Sequence, residues 1–172
     1  MSETARPDAI AAYTVVVLQS GGHVLLLRRA MSKRFGPGRW TGLGGRVEPD
    51  ELDRLTDAAL RELAEESGIV ESEVVDFTLR RVLLHARPGA PLTVLLYFTG
   101  RMAARRPLAS DEGELRWVPE VEIASLDVID NTARVLPLLL ADVARDPAGH
   151  EPVRLGTARY DADGRLERVV WV

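Results

Sequence analysis

Gly44-Gly45-Arg46-Val47-Glu48-Pro49-Asp50-Glu51 is followed, after a short connector, by Arg61-Glu62-Leu63-Ala64-Glu65-Glu66-Ser67-Gly68-Ile69. Thr56 to Ser67 carries a helical pattern: Leu60, Leu63, Ala64 and Ser67 are predicted on one face, and Gly68 is a natural C-terminal stop. At about 100° per residue, Glu62, Glu65 and Glu66 fall within an arc of roughly 100° on the opposite side. Carboxylates so close repel one another, and a hard divalent cation would relieve the repulsion. Oxygen ligands without His or Cys suit Mg²⁺ or Mn²⁺. Three acids on a helix are, by themselves, as easily a solvated face. The weight falls on the two glycines and on Glu48, Asp50 and Glu51, which lie just before the helix.

Working outward, Ile10 to Gln19 and His23 to Arg29 are apolar runs joined by Ser20-Gly21-Gly22, a strand–turn–strand pattern. Residues 32–46 are glycine-rich and must form a loop with tightly held backbone. Glu73 to His85 and Leu92 to Arg101 are β-rich and joined by Arg87-Pro88-Gly89-Ala90, and Leu115 to Val118 predicts another short strand. Asn131 opens a second helix, with Val135, Leu138, Leu139, Asp142 and Val143 at helical spacing and Pro137 near its start. Val153 to Tyr160 and Arg165 to Val172 flank Asp161-Ala162-Asp163-Gly164, a hairpin turn. The pattern predicts an α/β fold, a mixed sheet with a helix on each side, in one domain over residues 1–172.

A length of 172 residues fits that domain count. With 46% hydrophobic and 28% charged residues the chain is globular rather than disordered, and with no cysteine it has no disulfides or thiolate chemistry. The net charge of −4 argues against a nucleic-acid polymer as partner. The apolar run from Ala9 to Leu18 has Glu3 and Asp8 before it, so neither a signal peptide nor a membrane span is expected. A soluble, cytoplasmic protein follows as the expectation. The charge is unevenly placed. Arg28, Arg29, Lys33, Arg34 and Arg39 form a basic stretch, whereas Gly45 to Asp76 holds eleven acids against three arginines, a net of −8 that leaves +4 for the rest. Arginines beside the loop can hold a polyphosphate bidentately.

The stretch Gly45 to Ile69 resembles the Nudix box, G-x5-E-x7-R-E-U-x-E-E-x-G-U with U a bulky aliphatic residue. Gly45 and Glu51 match its first half, and Arg61, Glu62, Leu63, Glu65, Glu66, Gly68 and Ile69 match its second. One departure is visible: nine residues rather than seven separate Glu51 from Arg61, so counting back from Arg61 puts Asp53 at the acidic position. The resemblance continues in Gly36 to Gly45 and in Ser110 to Pro119. It implies an α/β/α sandwich and Mg²⁺-dependent cleavage of a nucleoside diphosphate linked to another group. Mn²⁺ is a substitute cation. The metal ligands it implies are Glu62, Glu65, Glu66, the carbonyl of Gly44 and Glu112. Glu65 or Glu112 is the general base, and Arg61 pairs with Glu51 or Asp53.

The implied substrate is a small nucleotide, a (d)NTP including oxidised forms, cut to a monophosphate and pyrophosphate. ADP-ribose and dinucleoside polyphosphates are the enzyme alternatives, and a nucleotide-sensing module that does not cut is the binding alternative. Candidate substrate contacts are Arg28, Lys33, Arg34, Phe35, Arg39 and Asn131. Enzymes of this branch that act on oxidised purines carry an Asn where this chain has Thr41, and an acidic pair near Asp130-Asn131, of which one member here is acidic. Trp40 and Trp117 are expected to pack, and His23, His85 and His150 to be surface or packed residues. The exposed edges of a mixed sheet are compatible with a homodimer.

Overall fold

The computed structural model describes residues 10–172. Glu3, Asp8 and Ala9 of the N-terminal run, and the start of the expected domain, lie outside the described residues. Strands β1 (Ile10–Ser20) and β2 (His23–Arg29) form the first hairpin, but only Leu18↔Leu25, Gln19↔Val24 and Ser20↔His23 pair. Beyond those pairs the two strands part. The loop after β3 (Trp40–Thr41) slips between them and bonds to β1: Thr14 N–H donates to the Gly45 carbonyl at 2.8 Å, Val16 N–H to Leu43 at 2.6 Å and Val47 N–H to Ala12 at 2.9 Å. β3 takes the part of the β2 edge left free by β1, at Leu27 and Arg28, and the opposite edge of β2 takes β6 (Gly113–Pro119). This wedge opens the space in which the candidate site lies.

Helix α1 (Leu55–Ser67) follows the loop, then β4 (Val74–Ala86) and β5 (Leu92–Met102) form the long hairpin. β5 lies parallel to β1 and antiparallel to β4. After helix α2 (Asp130–Arg145), β7 (Arg154–Tyr160) joins parallel to β4 and β8 (Leu166–Trp171) closes the edge. The order is β3-β2-β1-β5-β4-β7-β8. Short 3₁₀ turns at Pro49–Glu51, Glu71–Glu73 and Glu120–Ser125 had no counterpart in the sequence pattern.

Period-two alternation makes two cores from one sheet. Val16, Leu18, Leu25, Leu96 and Phe98 face Ala58, Ala59 and Leu63 of α1. Val17, Leu26, Leu95 and Tyr97 face Val135, Leu136 and Leu139 of α2. The expected mixed sheet between helices is what forms, and α2 runs through Pro137 without ending.

The inner face of α1 needs a correction. It buries Ala58, Ala59, Leu63 and Ser67, while Leu60 and Ala64 are only half-buried. The Gly44–Gly45 backbone presses on the Glu62/Glu66 flank. Those carboxylates therefore border the buried face instead of lying opposite it.

Candidate active site

Backbone fit builds the centre of the site. Gly44 has φ 137°, and a Cβ there would overlap the Thr14 carbonyl, so only glycine fits. Its N–H is thereby aimed at Glu66 Oε2, 2.7 Å away. A Cβ on Gly45 would overlap the Glu62 carboxylate. Two glycines thus let the loop lie flat against two acids of α1. Burial pushes the Glu66 carboxyl up to about 7, opposed by the Gly44 N–H, with the charges of Glu62 and Glu112 adding to the rise.

The other predicted acids are held aside by cations. Glu65 is exposed and accepts from Arg61 at 3.2 Å, and Glu112, just before β6, pairs with Lys33. Among the described residues, no three His, Cys, Asp or Glu side chains converge as a ready-made metal cluster. The donor set nevertheless suits a hard cation. Glu62 and Glu66 meet at a backbone cradle that a Cβ would fill, Glu112 acts electrostatically on Glu66, and all ligating atoms are oxygen.

Arg61 settles the spacing question in the box. Its Nε and Nη2 donate to Glu51 at 2.6 and 2.8 Å, and Nη1 donates to Glu62 at 2.8 Å. The Arg61 guanidinium, helped by the Glu48 N–H, holds Glu51 down to about 2. Asp53 is 83% exposed beside Arg54, so Glu51 fills the supporting position and the two extra residues are absorbed after the 3₁₀ turn. Glu51→Gln is expected to lower turnover about tenfold, the usual cost of disturbing a residue that orients metal ligands. Asp53→Asn should change turnover less than about twofold. Initial rates of the two variants check this.

A cavity of about 430 Å³ opens where β1 and β2 part, and Gly44 is part of its wall. Of the predicted substrate contacts, Phe35 and Asn131 line it. Arg28, Lys33, Arg34 and Arg39 of the basic stretch do not. Arg28 donates to the Gly38 carbonyl at 3.1 Å. Arg39 donates to Asp127 at 3.0 Å and to Val128 and Asp130 at 2.8 Å, which locks the loop to the start of α2. Lys33 is taken by Glu112, and Arg34 is exposed on the loop, outside the cavity wall. Arg28, Lys33 and Arg39 are consumed by loop carbonyls and nearby acids.

Arg29 supplies the cationic wall instead, its Nε donating to the Phe35 carbonyl at 2.8 Å. Thr14, Thr41, His85, Arg87 and Thr132 also face the cavity, and none was a predicted site residue. His85 is packed, as expected of it, but on this wall; burial moves its imidazole down to about 4, and Arg87 adds to the shift. Trp40 packs, 6% exposed, under the Arg116 guanidinium, and Trp117 packs on the α1-side core.

This helix-flanked mixed sheet, with carboxylates at a glycine cradle beside a cavity, is shared with known proteins. Residues 8–139 match the NUDIX domain. Over 132 residues the chain is 36% identical to the oxidized purine nucleoside triphosphate hydrolase of Mus musculus, covering 74% of this chain and 78% of that protein. Among solved structures, the MutT protein from Bacillus halodurans superposes with a TM-score of 0.68 at 22% identity, covering 94% of this chain and 97% of that one. The NUDIX domain of Shewanella oneidensis NrtR, solved with ADP ribose, superposes with a TM-score of 0.61 at 18% identity, over 79% and 90% of the two chains. The chain belongs to the NUDIX family and is a Nudix pyrophosphohydrolase. Among the described residues no helix is long and apolar enough to cross a membrane.

Proposed function

We propose that this hydrolase acts on nucleoside triphosphates, oxidised or unmodified in the base, releasing a monophosphate and pyrophosphate. The observation that carries this reading is the double role of Gly44. It lines the cavity and also donates its N–H to Glu66, so a nucleoside in the cavity would present its phosphates to the α1 carboxylates. Glu62, Glu65, Glu66, the Gly44 carbonyl and Glu112 would hold Mg²⁺, with Mn²⁺ as substitute. Such an ion, when bound, would supply charge neutralisation for phosphate oxygens and make a water more acidic.

The chain's own groups do the rest. Arg29 sits where it can pair with a phosphate, and Glu51 and Arg61 hold Glu62 in place. Glu65 or Glu112, each tethered by one cation that an arriving substrate can displace, takes the proton from the attacking water. The name of the mouse relative supports a triphosphate substrate. A panel of unmodified and oxidised triphosphates, ADP-ribose and diadenosine polyphosphates, with Mg²⁺ and with EDTA, tests the proposal. Triphosphate hydrolysis that stops in EDTA is the expected result. Hydrolysis confined to ADP-ribose or dinucleotides would overturn it.

A further inference from the structure

Three parts of the chain that are far apart in sequence meet at one guanidinium. Arg87 follows the end of β4, Phe35 stands in the loop between β2 and β3, and Tyr160 ends β7. The Arg87 guanidinium carbon lies 4.7 Å from the centre of the Phe35 ring and 4.6 Å from that of Tyr160. A guanidinium is drawn to the face of an aromatic ring and packs flat on it. No Asp or Glu among the described residues lines the cavity beside Arg87, so on this wall rings and not carboxylates set its place.

The two rings are held unequally. Tyr160 is 8% exposed, and its ring also packs on His85 with centres 5.2 Å apart. Phe35 stands on a loop and is 46% exposed. Tyr160 is therefore the anchor, and Phe35 is the side chain that Arg87 holds down. The Phe35 backbone in turn carries Arg29: its carbonyl accepts from Arg29 Nε at 2.8 Å. Arg29 lines the same cavity and is close enough to Glu66 for its charge to act on that carboxyl. A continuous run of contacts thus leads from the closing hairpin to the cation beside the carboxylates.

We propose that Tyr160 and Arg87 are positioning residues, through which the hairpin β7–β8 holds Phe35 and so fixes the Arg29 guanidinium where a phosphate can reach it. The proposal rests on the reading of Arg29 as a phosphate contact. Tyr160 lies past residue 139, where the match to the NUDIX domain ends, so the strut comes from outside the matched segment. Only the ring of Tyr160 is used. Its buried hydroxyl has no partner among the described residues, so the network does not depend on it.

Tyr160→Leu and Arg87→Leu should each raise KM for a nucleoside triphosphate roughly five- to tenfold, with kcat falling less than about twofold, since a slightly misplaced contact is costly. Tyr160→Phe, which keeps the ring, should retain the wild-type KM. Because both act through Arg29, Arg87→Leu should add less than about a twofold change when Arg29 is already alanine. The Arg29 Nε–H resonance, assigned by its loss in Arg29→Ala and recorded without substrate, reads the positioning directly. It should shift in Tyr160→Leu and Arg87→Leu and stay in place in Tyr160→Phe. Arg87→Lys, which keeps the charge without the flat stack, replaces Arg87→Leu if melting curves show that the latter does not fold. An unmoved resonance overturns the positioning role whatever the kinetics. So does an Arg87→Leu effect that adds in full to that of Arg29→Ala, which would make Arg87 a direct substrate contact. A shifted resonance beside an unchanged KM in Arg29→Ala keeps the network and overturns the phosphate role of Arg29. Absence of triphosphate hydrolysis in the wild type overturns that substrate reading, and the resonance still decides the network.

Discussion

Glu66→Gln is expected to lower turnover with Mg²⁺ by roughly 10²-fold or more, without lowering the melting temperature in EDTA. Glutamine keeps the side-chain length and an oxygen that can accept from the Gly44 N–H, now 2.7 Å from Glu66 Oε2. What it removes is the charge. Glu66 carries the most costly carboxylate of the set, since burial works against it and Glu62 and Glu112 repel it. A carboxyl whose ionisation is opposed in this way ionises fully only beside a cation, and removing it should relieve the protein while disabling the site. Glu65→Gln should also lower turnover, again with little effect on melting, since that side chain is exposed and touches Arg61 alone of the described charged residues. Rates with Mg²⁺, paired with melting curves in EDTA, test both. Turnover within a few-fold of wild type for Glu66→Gln would remove the metal role from the centre of the site.

The acidic half of the site was legible because it is local. Gly44, Gly45, Glu51, Arg61, Glu62 and Glu66 lie in one run of chain, and helical spacing brings Glu62 and Glu66 to one flank. The basic half was misread because charge was counted before partners were known. Arg39 meets Asp127 and Asp130, which lie 88 and 91 residues further along, a pairing that only the approach of α2 to β3 decides. His85 and Arg87 were missed for a different reason. His85 shares one face of β4 with Leu83 by period-two alternation, Arg87 follows just past the strand's end, and that alternation was the available clue. Upstream, however, β4 carries register shifts between Val75 and Thr78 and between Leu79 and Arg81. Adjacent Arg80 and Arg81 are both buried as a result, so a strict alternation read from the strand's start assigns the wrong face. Thr14 depended on the divergence of β1 from β2, which follows from the loop's insertion and has no mark in either strand.

Asp142→Ala should cost about 3–5 kcal/mol of folding stability, the usual consequence of removing one partner of a buried ion pair. The sequence put Asp142 on the apolar stripe of α2 beside Leu138, Leu139 and Val143, and the structure supplies the reason for an acid there. Arg81 of β4 donates to it through Nε at 2.6 Å and Nη2 at 2.9 Å, and the two side chains are 7% and 8% exposed. Arg145 adds a third bond at 2.9 Å, and the Arg81 guanidinium also lies 4.6 Å from the centre of the Trp171 ring in β8. One carboxylate therefore ties α2 to β4, and through Arg81 to the closing hairpin. Burial alone would push its carboxyl up, but the bonds from Arg81 and Arg145 outweigh that and hold it below the ordinary aspartate range. A depressed carboxyl stabilises above about pH 4 and loses that contribution as pH falls through its folded value. In Asp142→Ala the methyl leaves Arg81 charged, buried and with two donors unmet, so the penalty is that of a stranded guanidinium, not of a lost surface pair. Against a typical total of about 5–15 kcal/mol, such a loss would move the urea midpoint far down while leaving its slope alone. Replacing both partners, Arg81→Met with Asp142→Leu, should recover most of the loss, because no charge is then left behind. A cost below about 1 kcal/mol for Asp142→Ala, or a double variant as weak as the single one, would mean that apolar packing, not this ion pair, holds α2 against the sheet.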